Sequence, residues 1–339
     1  MSLPKILAVF ALVLFSAIGV AAIVKKNKKG VVPVVAQVQA PARKVEESES
    51  DREIISQKVP TAPLRQNKPA AAVLPPVPTK EVKKGEKILP HGNRIAEFFN
   101  KTEPKFSIVE TITYRSRVPW QKGRPAWLSD YATYYSTSRH FIARSLNGKP
   151  DYFKQNVAEG DRFNVLRKDK NIHFHLLIDT SLCRMWFYYI DKDRNERVFV
   201  KDYVVGLGRK EATRPSGSLT PLGKYLLGNK IAIYKPKMTG LHNGQKVEMI
   251  KIFGSRWIPF DKEISDTTAA AKGLGLHGVP WKINEKGEAE EDTSSLGKHL
   301  SDGCVRLSTR DIEELFAIVI TKPTTVELVR AFDEAELGN

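Results

Sequence analysis

The chain has 339 residues, with 54 Lys plus Arg against 38 Asp plus Glu and a formal net charge of +16. At about 100 to 200 residues per domain this is room for two compact domains plus tails. The two cysteines, Cys183 and Cys304, exclude a disulfide framework while leaving open a single bridge or a reactive thiol. The positive balance favours polyanionic partners (nucleic acid, anionic lipid or wall polymer) without choosing among them.

In chain order, the first element is an uncharged apolar run from Ile6 to Val24. At 1.5 Å per residue it nearly crosses a bilayer core of about 30 Å. It is long for a cleaved signal peptide, so residues 1–30 are expected to be a retained signal anchor with a basic flank, although Val20-Ala21-Ala22 offers a cleavage site. Lys25, Lys26, Lys28 and Lys29 follow the run and only Lys5 precedes it, a bias that on its own would hold the rest of the chain in the cytoplasm. Residues 31–90 are rich in Pro, Ala, Val, Lys and Glu with almost no aromatics, the composition of an extended, partly polyproline linker.

Between residues 112 and 167 the pattern predicts strand, helix, helix, strand. "ITYRSRVPW" reads as a strand, "AWLSDYATYY" has helical spacing, "STSRHFIARSLNG" is a capped helix stopping at Asn147-Gly148, and "EGDRFNVL" is a turn into a strand. This order resembles a LysM module. The resemblance implies that residues 91–170 are a small α+β domain binding the glycan of peptidoglycan; a spacer or interaction domain with the same element order is the alternative.

From residue 172 the sequence turns to short strands: "FHLLID", "RMWFYYI", "VFVKDYVVGLG", "KYLLGN" and, at the end, "TTVELV". "TRDIEELFAIVI" has helical spacing behind a Ser308 or Thr309 cap. The expected domain, 172–331, is mainly β with short helices. Cys304 lies in "LSDGCVRLS". A thiol with a free pKa of about 8.5 is mostly protonated at neutral pH and needs a base beside it, and His277 in "GLHG" is the candidate. Gly303 lets the backbone turn sharply and expose the sulfur, and amides at or next to Cys304 are candidate oxyanion donors. Arg306, two residues on, is placed to hold a substrate carboxylate if both side chains share a face.

Three segments in order, "TPLGKY" (220–225), "GLHG" (275–278) and "SLGKHLSDGCVRL" (295–307), resemble the motifs of the YkuD-type L,D-transpeptidases. The resemblance implies a β-sandwich catalytic domain, Cys304 as nucleophile and His277 as general acid/base, its ring oriented by a backbone carbonyl close to Gly278. Gly303, Arg306, Ser301 and Gly278 are the expected substrate-binding or oxyanion residues. The implied reaction is attack on the third residue of a tetrapeptide stem, loss of D-alanine, and transfer of the thioester to an amine, giving a 3-3 cross-link, or to water; a catalytically weak, peptidoglycan-binding structural protein is the alternative. No cofactor or metal is implied. The implied partners are peptidoglycan stem peptides and glycan, with the membrane reached through the N-terminal run, and the domain facing the periplasm of a bacterial envelope despite the lysine bias. Asp302 stands where the family commonly has His, and disfavours a thiolate unless it pairs with a cation such as imidazolium; His299 is the substitute. His277 and Cys304 are 27 residues apart, longer than usual, with an acidic insertion (282–294) read as either a lid or a solvated loop. Nucleic-acid binding lacks a groove-reading motif or stacking cluster. Zinc binding through His173 and His175 lacks HExxH or CxxC spacing.

Overall fold

The computed structural model describes residues 88–335. The expected anchor (1–30) and all but the last residues of the expected linker (31–90) lie outside the described residues. Among the described residues no helix is long and apolar enough to cross a membrane.

The first part of the chain forms helix α1 (Ala96–Phe99), strand β1 (Val109–Thr113), helices α2 (Leu128–Tyr134) and α3 (Arg139–Asn147), and strand β2 (Arg162–Leu166). β1 and β2 pair antiparallel from Val109↔Leu166 to Thr113↔Arg162. The strand predicted over "ITYRSRVPW" therefore starts earlier and stops at Thr113. Beyond it the chain turns through Gly160 (φ 92°) just before the partner strand begins; Tyr114 N still donates to Asp161 O at 2.7 Å and Gly160 N to Tyr114 O at 3.1 Å, while the buried Tyr114 hydroxyl donates to Ala126 O at 2.6 Å. α3 ends as its sequence requires: Ser138 caps it, accepting from His140 N, and Gly148 takes the left-handed conformation (φ 74°).

A small cluster of Tyr114, Leu128, Tyr131, Ile142, Phe163 and Val165 fills one side of this unit. Its other side, with Ile108, Val109, Phe141 and Leu166, belongs to the main hydrophobic cluster together with Phe174, Phe187 and Tyr189 of the next segment. Phe98 of α1 sits at that seam, with ring centroids 6.0 Å from Phe141 and 6.2 Å from Phe187. The strand-helix-helix-strand unit thus shares a core with the sheet that follows.

The remaining elements are β3 (Ile172–Asp179), β4 (Arg184–Asp191), β5 (Glu196–Val204), β6 (Leu207–Gly208), β7 (Gly223–Leu227), β8 (Ala232–Ile233), β9 (Thr239–His242), β10 (Gln245–Glu248), α4 (Ile250–Phe253), β11 (Arg256–Ser265), β12 (Gly275–Gly278), β13 (Trp281–Ile283), β14 (Ala289–Glu291), β15 (His299–Ser301), β16 (Val305–Leu307), α5 (Thr309–Val319) and β17 (Thr324–Val329). The main sheet runs β16-β12-β11-β7-β17-β3-β4-β5, with β8 also paired to β11. Register shifts in β11 and β4–β5 are the sites where extra residues bend and twist a sheet. Its ends come close: just after β5, Gly206 and Arg306 of β16 exchange backbone hydrogen bonds of 2.8 Å in both directions. The sandwich expected from sequence is, in the described residues, one sheet curled so that Val200 and Met185 near one end share a core with Leu276, Val305 and Leu307 at the other. α5 closes that core with Ile312, Leu315, Phe316 and Val319, and its cap is Ser308, which accepts from Asp311 N.

The insertion at 282–294 is a hairpin, β13–β14, paired from Trp281↔Glu291 to Ile283↔Ala289 and turning at Gly287 (φ 79°). Its base is pinned to the start of α5, with Thr309 N donating to Glu291 Oε2 at 2.7 Å and Trp281 Nε1 to Thr309 Oγ1 at 3.2 Å. A second hairpin, β9–β10, turns on Asn243-Gly244, both with positive φ. Such Asn-Gly pairs favour two-residue hairpin turns.

Candidate active site

Residues 302–304 make a sharp turn between β15 and β16, and three residues fix it. Gly303 has φ 122°, and a Cβ there would lie 2.9 Å from Leu219 O and 3.1 Å from a Leu274 methyl, so the position demands glycine. Ser301, buried to 1 %, donates its hydroxyl to Cys304 O at 2.6 Å and accepts from Gly303 N at 3.2 Å. Thr220, fully buried, accepts from Gly208 N at 2.6 Å and donates to Gly303 O at 2.9 Å. These contacts correct two expectations. The Gly303 amide is engaged by Ser301 Oγ and is not free to serve an oxyanion, and the Ser301 hydroxyl holds the turn rather than facing a substrate.

His277 reaches the same neighbourhood through the sheet. β12 and β16 run parallel with Leu276↔Val305, His277↔Arg306 and Gly278↔Leu307 in register. Leu276 and Val305 point into the core, so His277 and Arg306 share the opposite face. Cys304, immediately before Val305, stands at the mouth of that face. The His277 ring is 3 % exposed, edge-on to Phe253 with centroids 5.3 Å apart and 5.9 Å from Trp257. Its Nδ1 is 2.7 Å from Gly278 O. Donating Nδ1–H to that carbonyl leaves Nε2 as the basic nitrogen. The end of β12 is packed against the backbone after α4: a Cβ on Gly254 (φ 60°) would come within 2.6 Å of the Gly278 carbonyl carbon, so glycine there lets Phe253 lie on the ring.

Burial dominates both titrating groups. It pushes the Cys304 thiol up to about 11, opposed by the Gly275 amide and Arg306, and pulls His277 down to about 4 against the favourable Gly278 and Phe253 carbonyls. At neutral pH the pair is therefore a thiol and a neutral imidazole, not a preformed ion pair. The thiol donates a hydrogen bond to Gly273 O at 3.6 Å. Arg306 is half-buried, its Nε enclosed and without a partner among the described residues, and desolvation lowers its pKa.

Residues 173–328 match the family described as the L,D-transpeptidase catalytic domain, YkuD. The match spans 156 of the 339 residues. Among solved structures, the chain is similar to Bd1075 from Bdellovibrio bacteriovorus (15 % identity over 47 % of this chain and 48 % of that one, TM-score 0.32). It is also similar to the helical cell shape determining protein Pgp2 from Campylobacter jejuni (16 % identity over 48 % and 52 %, TM-score 0.31). The matched region spans about half the length of each of these proteins. No curated protein matches the chain.

Within the matched segment, Asp302 faces solvent. It is 80 % exposed and pairs with Arg209 at 2.7 Å rather than with an imidazolium, and it is the weakest of the influences on the Cys304 thiol. His299 is not available as a substitute base, because Nδ1 lies 2.9 Å from Gly208 O and Nε2 3.0 Å from Thr180 O. Asp302→Asn is accordingly expected to change the rate of Cys304 acylation less than about threefold and stability by less than about 1 kcal/mol, the range of an exposed ion pair; stopped-flow acylation and urea denaturation measure the two.

Sequence reading placed Thr220 in a motif without giving it a task. Its task is to pin the turn that carries Cys304 to β6, and its signal was the hydroxyl in "TPLG" beside a turn that must hold an unusual backbone conformation. Thr220→Val keeps the shape but leaves the Gly208 amide and the Gly303 carbonyl unpaired. A loss of about 2 to 4 kcal/mol in stability is expected, with slower acylation, read by chemical denaturation and by mass spectrometry. Elsewhere Cys183 is buried and unpaired. His173 and His175 point away from the site: His173 meets Thr325 Oγ1 at 2.8 Å, and His175 meets Glu327 at 3.0 Å.

Proposed function

We propose that the chain is a peptidoglycan L,D-transpeptidase that forms 3-3 cross-links through a Cys304 acyl-enzyme. The observation that carries this reading is the placement of Cys304 on a glycine-dependent turn at the start of β16, with His277 on the neighbouring parallel strand facing the same side. Cys304 Sγ attacks the carbonyl of the third residue of a tetrapeptide stem as His277 Nε2 takes the thiol proton. The tetrahedral oxyanion forms beside the Cys304 amide. Collapse breaks the peptide bond, His277 returns the proton to the leaving D-alanine amine, and a thioester remains. An amine on a neighbouring stem then attacks the thioester and regenerates the thiol. Arg306, with its guanidinium on the His277 face, binds a stem carboxylate.

Water in place of the amine makes the enzyme an L,D-carboxypeptidase, the second outcome that the same site supports. Incubation of the purified chain with tetrapeptide-rich sacculi, followed by separation of the digested muropeptides, tests the reading: 3-3 dimers indicate transpeptidation and tripeptides hydrolysis. If neither appears, and Cys304→Ala is indistinguishable from the parent, the enzyme reading fails.

The remaining parts follow from this activity. Residues 1–30 are proposed to anchor the chain in the inner membrane with the catalytic domain in the periplasm, since the substrate lies there. A reporter fused after Val24 and active only in the cytoplasm refutes that orientation. Residues 91–170 are proposed to hold the glycan strand, as a LysM-like unit would.

A further inference from the structure

The surface around α2 carries an exposed tryptophan that the small core does not need. Tyr131 and Phe163, which fill that core, are 3 % and 0 % exposed, whereas Trp127 is 54 % exposed. An exposed indole in a mobile loop has no defined face, but Trp127 is held on two sides. Its backbone N donates to Asp130 Oδ2 at 2.8 Å. The same carboxylate receives both arms of the Arg124 guanidinium at 2.6 and 2.8 Å, and Arg124 lies 5.5 Å over the Trp127 ring. One face of the indole is backed by a fixed cation.

At the far end of α2 a second aromatic pair stands ready. Trp120 stacks on Tyr134 with centroids 4.4 Å apart and planes at 10°, and the Lys168 ammonium sits 3.5 Å over the Tyr134 ring. Trp127 and Tyr134 are seven positions apart, close to two helical turns, so their Cα atoms lie on one side of α2 about 10 Å apart. Arg117 and Lys122, in the loop that leads to the helix, are exposed and have no carboxylate within ion-pair distance among the described residues. Flat rings spaced along a line and edged with unpaired cations suit an elongated ligand with apolar faces and negative charges. The C–H face of a pyranose ring meets the electron-rich face of an indole favourably, and carboxylates meet Arg and Lys.

We propose that Trp127 and Trp120, flanked by Arg117, Lys122 and Lys168, form a stacking surface for a carboxylate-bearing glycan strand. The sugars lie along α2 and the stem-peptide carboxylates against the cations. This inference rests on the peptidoglycan reading above, and assigns the glycan-holding role of residues 91–170 to a particular face.

Co-sedimentation of the full chain with purified sacculi, with carbapenem acylation of Cys304 measured in parallel by intact mass, tests it. Trp127→Ala is expected to weaken retention about tenfold and Trp127→Phe to preserve most of it, with acylation unchanged in both. Arg117→Glu with Lys122→Glu is expected to weaken retention more at low salt than at high salt. Retention of Trp127→Ala equal to that of the parent overturns the stacking surface and leaves the peptidoglycan reading intact. A parent that is acylated but does not sediment with sacculi overturns the glycan-holding role itself. Weakened binding of Trp127→Ala to single-stranded nucleic acid with unchanged binding to sacculi overturns the choice of ligand.

Discussion

Cys304→Ala is expected to abolish covalent acylation and to lower turnover of tetrapeptide stems by at least about 10⁴-fold, the scale on which enzymes lose activity when the nucleophile is removed. The fold should survive the change. The thiol donates only one long hydrogen bond, to Gly273 O, and the turn that carries it is held by Ser301, Thr220 and Gly303 rather than by sulfur. Intact-mass spectrometry after carbapenem treatment gives the covalent readout, and circular dichroism gives the fold. Cys304→Ser is a sharper probe, because a serine hydroxyl is a far weaker acid than a thiol, and a neutral imidazole already has to deprotonate a thiol pushed up to about 11. Serine should therefore be almost as inactive as alanine. Cys183→Ala, by contrast, should leave acylation in place, since Cys183 is a buried core residue. Adduct formation that persists in Cys304→Ala and vanishes in Cys183→Ala would move the nucleophile and defeat the assignment.

Cys304 stood out as a candidate nucleophile in the sequence because its neighbours are chemically unusual: a glycine before the cysteine, an arginine two residues later, and an upstream His-Gly. Helix ends were legible for similar local reasons, as at Ser138 and Gly148. What the sequence did not expose were contacts between segments far apart in the chain. Asp302 reads as a charge beside a thiol, but its partner Arg209 lies 93 residues earlier, and only the β6–β15 pairing brings the two together. The grip of Thr220 on Gly303 crosses 83 residues and rests on a hydroxyl that sequence patterning treats as ordinary loop chemistry. The common core of the N-terminal unit and the sheet escaped for the same reason, since Phe98, Phe141 and Phe174 each read as locally sensible apolar positions. The β9–β10 hairpin was different. Asn243-Gly244 is a strong local turn signal and was present to be read.

His277 makes the second large effect, and it is one that pH resolves. Its folded pKa, about 4, lies below the ordinary 6.5, so the neutral ring is favoured in the native state. Between those values the unfolded chain binds more protons than the folded one, and stability must fall as pH drops from about 6.5 to about 4. At about 1.4 kcal/mol for each pH unit that separates the two values, the loss from this one ring is on the order of 3 kcal/mol. His173, also lowered to about 4 by burial, adds to the slope in the same window, but it is half-buried and solvent screens part of its contribution. The difference between the parent and His277→Gln isolates the active-site ring, and urea denaturation at a series of pH values should give a shallower acid slope for the variant. Catalysis reports the same group independently. Acylation of Cys304 by the parent should hold its rate from pH 8 down toward pH 5 and fall only near pH 4, while His277→Gln should be about 10²- to 10⁴-fold slower, as for loss of a general base. A half-point near pH 6.5 in the acylation profile, together with parallel acid slopes for parent and variant, would place the base elsewhere and return His277 to the role of a packed ring between Phe253 and Trp257.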